Sequence, residues 1–206
     1  SRRQRQMCIR DRDGMKEVWL CGEIVWQDGM VIGSWARDCL EARTPYVGDA
    51  PAVAQVLTTL NVSQLGTYTL SLQTASMPYG CTVAFDKSFD DDCSFWDPWM
   101  ENYAWMLLAL VDNLETVTWT HSDENGVLKT HTVTLAESSA MLEEWTAAYN
   151  EENGTDWTAL DSVKDYTASP ADFQRLIDTL YLMSTTQFYT LTAPTISLGT
   201  AVITMD

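Results

Sequence analysis

Hydrophobic positions along the chain change period several times, and each change marks an element. Val53, Val56, Leu57 and Leu60 recur at helical spacing behind Asp49 and Pro51. A helix therefore starts there, with Asp49 as N-cap and Pro51 at its second position. Thr67 to Thr74 then alternates, with Tyr68, Leu70 and Leu72 on one face and Thr69, Ser71 and Gln73 on the other. That pattern predicts a strand. The connector from Ala75 holds Pro78 and Gly80, and a second strand follows with Val83 and Phe85 inward, completing a hairpin. Asp86 to Asp92 reads as a loop. Asp97-Pro98 opens a helix running to about Asn113, whose stretch Tyr103 to Val111 is apolar without a break. A helix apolar all round is a buried one.

Alternation returns at Thr116 to His121, with Val117 and Trp119 inward; Asn125-Gly126 marks a turn and Val127 to Leu135 is the partner strand. Thr134 and Glu137 have capping-box spacing ahead of a helix through Met141, Leu142, Trp145 and Tyr149. Asp156 to Tyr166 suggests a short helix. Ser169-Pro170 caps a last one carrying Phe173, Leu176, Ile177 and Leu180 on one face. The order α-β-β-α-β-β-α-α-α predicts an α+β domain over 43–183. Its four-stranded antiparallel sheet comes from two hairpins, with helices mainly on one face. No doubly wound nucleotide fold is expected.

The flanks read differently. Arg2 to Arg12 holds five Arg in an otherwise acidic chain and resembles a translated transposon-end sequencing adapter. Residues 1–12 are therefore expected to be non-native, and such segments are set aside before fold reasoning. Residues 13–42 are rich in β-formers, with Asp28-Gly29 as a hairpin signal, but their apolar runs are too short to span a bilayer. Residues 184–206 form a β-prone tail rich in Ser and Thr and too polar for a membrane helix.

Charge narrows the partners. The net charge of −17 repels nucleic acid and anionic lipid, leaving a small molecule, a glycan or a protein. Five Cys form no CxxC pair and only two His are present, so a zinc site of the structural kind is not expected. Cys81 and Cys93 are either a disulfide in an exported chain or two buried thiols. No P-loop, GxSxG, HExxH or dinucleotide motif occurs, which argues against an enzyme and against a cofactor. Asp90, Asp91 and Asp92 lack the spacing of a calcium loop and read as a solvated acidic loop.

Several residues remain as candidates for recognition. Tyr46 and Asp49 sit in a Pro-Tyr-Val-Gly-Asp turn, and Gln73 and Tyr79 flank the hairpin connector. Gly permits the turn and Tyr offers a flat amphipathic face, although both serve turn geometry and packing equally well. Of the aromatics near the third helix, Trp96 is the surface candidate and Trp99 the core one. The expected register sets Val117 opposite Leu135, Trp119 opposite Val133 and His121 opposite His131. Two His can bind a metal or sense pH, but no third ligand is evident, so they read as ordinary strand-end histidines.

Taken with Leu72-Gln73-Thr74, Pro78-Tyr79-Gly80 and the run from Asn102 to Val117, the segment Arg43 to Asp49 (RTPYVGD) resembles the family called domain of unknown function 4825. The resemblance covers Arg43 to about Leu180. It implies a bacterial domain of Firmicutes, found on short exported proteins and at the C-terminal end of BlaR-type membrane metallopeptidases. It carries no known activity. The functional expectation is a non-catalytic extracytoplasmic binding or sensing domain within a longer exported or membrane-anchored protein, the fragment itself not inserting into the membrane. The alternatives are a secreted or lipoprotein domain with a structural or inhibitory role, and an unrecognised hydrolase.

Overall fold

The structure, a computed structural model, describes the backbone of residues 7–12, 15–20, 23–27, 30–88 and 96–185, and the side chains of 30–86 and 97–180. Among the described residues there are two four-stranded sheets. The first is antiparallel throughout, with β1 (Met7–Arg12), β2 (Met15–Leu20), β3 (Glu23–Gln27) and β4 (Met30–Val31) in chain order. Helices α1 (Ser34–Glu41) and α2 (Ala50–Thr59) follow. The second sheet contains β5 (Tyr68–Gln73), β6 (Gly80–Ser88), β7 (Thr116–Ser122) and β8 (Leu128–Thr134), also in chain order. Helix α3 (Trp96–Leu110) joins β6 to β7, and α4 (Leu135–Asn153) and α5 (Pro170–Thr185) complete the order.

The α+β class holds, but the second sheet is mixed rather than antiparallel. β5–β6 and β7–β8 are the two expected hairpins, whereas β6 and β7 pair parallel, Gly80 with Thr116 through Ala84 with Thr120. The reason is α3. Fifteen helical residues carry the chain back about 22 Å at ~1.5 Å each, so β7 starts again from the end at which β6 began. The two hairpins are thus fused through a strand-helix-strand unit that the sequence reading does not anticipate.

The core lies where α3 covers the sheet. Met100 and Tyr103 through Val111 are buried, facing Cys81, Val83, Val117, Trp119 and Val133 from the strands. Alternation explains the sheet: Tyr68, Leu70 and Leu72 pack on the core, while Thr69, Ser71 and Gln73 are exposed. The core also reaches upstream of Arg43. Ile32, Ala36 and Cys39 are buried within it, and Gly33 N–H donates to Gln174 Oε1 at 3.0 Å. The packed unit therefore begins before the expected boundary.

Caps fall where the side chains dictate. Asp49 Oδ1 accepts from Ala52 N–H at 3.1 Å, ahead of Pro51. Thr134 and Glu137 form both bonds of the capping box, and Ser169 Oγ accepts from Asp172 N–H. Leu135 consequently belongs to α4 rather than to the strand. The expected helix over Asp156 to Tyr166 is an irregular segment closed by a 3-10 turn at Asp165–Ala168. There Asn150 bonds the backbone of Trp157, and the Tyr166 hydroxyl accepts from Leu160 N–H, so side chains satisfy backbone groups that a helix would otherwise pair. Among the described residues no helix is long and apolar enough to cross a membrane.

Candidate functional site

Two regions gather the residues singled out by sequence, at opposite ends of α3. At its C-terminal end the segment Arg43 to Asp49 docks on the helix. Thr44 N–H donates to Leu110 O, and Asp112 N–H donates to Thr44 O. Val47 N–H donates to Asn113 Oδ1 at 2.7 Å, and Arg43 Nε contacts Asp112 Oδ1 at 2.8 Å. Lys164 Nζ donates to Leu108 O and Val111 O at 3.0 and 2.9 Å. Carbonyls at a helix C-terminus have no partner within the helix, and a cation is favoured there. Sequence reading missed Lys164, a lone Lys between Asp161 and Asp165.

The hairpin connector meets the same end. Tyr79 O accepts from Glu115 N–H and Thr116 N–H, and a Cβ placed on Gly48 would lie 3.7 Å from Thr74 Cγ2. The four loop candidates take different roles. Tyr46 is 66% exposed. Asp49 is exposed but committed to capping α2. Gln73 is exposed and donates to Pro78 O, and Tyr79 is half-buried against the core. Trp99 is half-buried on the core, as expected. The side chain of Trp96, residues 90–92 and Cys93 lie outside the described residues. The Cys39 and Cys81 thiols are buried and free, each pushed up to about 12, chiefly by burial.

The other region lies at the N-terminal end of α3, above the C-terminal end of β7. The observed ladder pairs Val117 with Val133, Trp119 with His131 and His121 with Lys129, two residues from the expected register, because Thr134 ends the strand as a cap. A shift of two preserves the face. His121 and His131 are therefore diagonal rather than opposed, with rings parallel within 4° and centroids 5.7 Å apart; His131 also stacks on Trp119 at 5.3 Å. Asp97, in the first turn of α3, joins them. Its Oδ1 lies 3.5 Å from His121 Nε2 and its Oδ2 lies 3.4 Å from His131 Nε2.

Asp97 brings a third candidate donor that the sequence reading lacks, with one candidate ligand atom from each of the three residues within 4.8 Å of one another. The sequence reading takes Asp97-Pro98 only as a helix start; the helix begins at Trp96, which sets Asp97 in its first turn. In a strand-helix-strand unit the crossover helix begins above the carboxyl ends of the parallel strands, where open α/β sheets also place ligands. Trp119 Nε1–H holds Asp97 Oδ1 at 2.9 Å. His121 Nδ1 lies 3.4 Å from Ser122 O. One helical turn on, burial raises the Glu101 carboxyl, and repulsion from Asp97 and Glu137 adds to the rise. The side chain of His121 is 9% exposed, those of His131 and Asp97 37% and 39%, so the group opens to solvent on one side.

Searches of curated proteins and of solved structures found no match to the chain. Residues 39–134 do match a family model, and this stretch contains both the docked loop segment and the Asp97, His121 and His131 group. The model is that of the family described as Domain of unknown function (DUF4825).

Proposed function

We propose that this domain is a non-catalytic binding or sensing module that acts outside the cytoplasm, as part of a longer exported or membrane-anchored protein. The observation that carries the reading is the clasp at the C-terminal end of α3. Hydrogen bonds tie the 43–49 turn to the segment after α3, and that segment to the hairpin connector. Tyr46 is left 66% exposed on this support, with Asp49 and Gln73 exposed beside it. Loops held by a rigid scaffold are the usual place for recognition, and an exposed Tyr offers contact area at low entropic cost. The charge of −17 favours a small molecule, a glycan or a protein over nucleic acid. Export is the expectation drawn from the family resemblance.

Localisation is tested by fusing the full native gene to alkaline phosphatase, which is active only outside the cytoplasm. High phosphatase activity is expected. Activity confined to a cytoplasm-dependent reporter would sink the extracytoplasmic reading. Recognition is tested separately, by comparing Tyr46→Ala with the parent protein in a glycan and peptide array.

A further inference from the structure

We propose that Asp97, His121 and His131 form a binding site for one divalent transition-metal ion of the zinc class. The inference goes beyond the recognition role and stands at the opposite end of α3, so either can fail without the other.

Distance decides between an ion-pair cluster and a metal site. Charge-assisted N–H···O bonds close to about 2.7–2.9 Å. His121 Nε2 lies 3.5 Å from Asp97 Oδ1 and His131 Nε2 3.4 Å from Oδ2, the other oxygen of the same carboxylate, both long for such bonds, and one donor atom from each residue falls within 4.8 Å of the others. Two donors bound at about 2.1 Å to one tetrahedral ion sit roughly 3.4 Å apart. The donor set, two imidazoles and a carboxylate, is one that zinc and related ions take when a coordination position is left for solvent. Groups outside the ligands complete the picture. The Ser122 carbonyl sits at Nδ1 of His121, and Trp119 Nε1–H holds the Asp97 carboxylate. Metal-ligating His and carboxylate groups are ordinarily oriented in this way. The open side, at His131 and Asp97, gives an ion its entry.

The test uses the full chain, stripped with a chelator and folded as judged by circular dichroism. Zinc chloride is titrated calorimetrically, and cobalt chloride by absorbance. Saturable uptake of one ion per chain is expected, with visible cobalt bands and without the near-ultraviolet thiolate band that cysteine ligation would give. Asp97→Asn keeps an acceptor for Trp119, and His131→Gln changes a partly exposed side chain, so His131→Gln remains informative if the first variant is unstable. Each should weaken binding at least about tenfold. Absence of saturable uptake, a thiolate band, or unchanged affinity in the folded variants would overturn the site.

Discussion

Burial acts on Lys164 and Asp178 in the same way but to different ends. Desolvation lowers the Lys164 ammonium to about 8, yet it donates to the Leu108 and Val111 carbonyls at the end of α3. Desolvation pushes Asp178 up to about 6, and one hydrogen bond from Gln174 offsets this only in part. The folded state therefore holds the Asp178 proton more tightly than the unfolded chain does. The associated stability is fully present below the unfolded value near 4 and is lost as pH rises through about 6. Asp178→Asn, which still accepts from Gln174, should be more stable than the parent at pH 7.5, by about 2 kcal/mol once partial exposure is allowed for. The difference should shrink toward zero near pH 4. Urea midpoints of both proteins across this range give the check; equal midpoints throughout would contradict it.

Local signals decide where elements begin. The capping box at Thr134 and Glu137 was legible because both of its bonds link residues only three apart. Thr134→Ala should cost about 1 kcal/mol in thermal or urea unfolding, and Glu137→Ala should not add a second full increment, since the two residues share the same bonds. The irregular segment after α4 was not legible. Its backbone partners come from Asn150 and Tyr166 side chains, and nothing in its own spacing distinguishes it from a short helix.

At the scale of the whole molecule the boundary at Arg43 is tested by truncation. Residues 1–12 are expected to be non-native although Met7–Arg12 forms β1 along β2; if that expectation holds, their removal leaves the melting transition unchanged, and a substantial loss overturns it. A chain starting at Arg43 loses the buried Ile32, Ala36 and Cys39 and should melt well below one starting at Met30. Equal melting of those two would mean that α1 adds nothing to the fold.

By itself the sequence determined the class, the caps and the buried helix. It also determined the inward faces of the strands and, through the motif from Arg43 to Asp49, the family. The family rests on the resemblance of its motifs; the others rest on periodicity or on contacts a few residues apart. Only the tertiary structure decided that β6 and β7 run parallel, because the path of a crossover depends on where the helix packs and not on its composition. The same packing set Asp97 over His121 and His131, from an element twenty-four residues before His121 in sequence. Two histidines at fixed strand positions are visible in a sequence; the carboxylate that makes them a site arrives with the helix that covers the sheet.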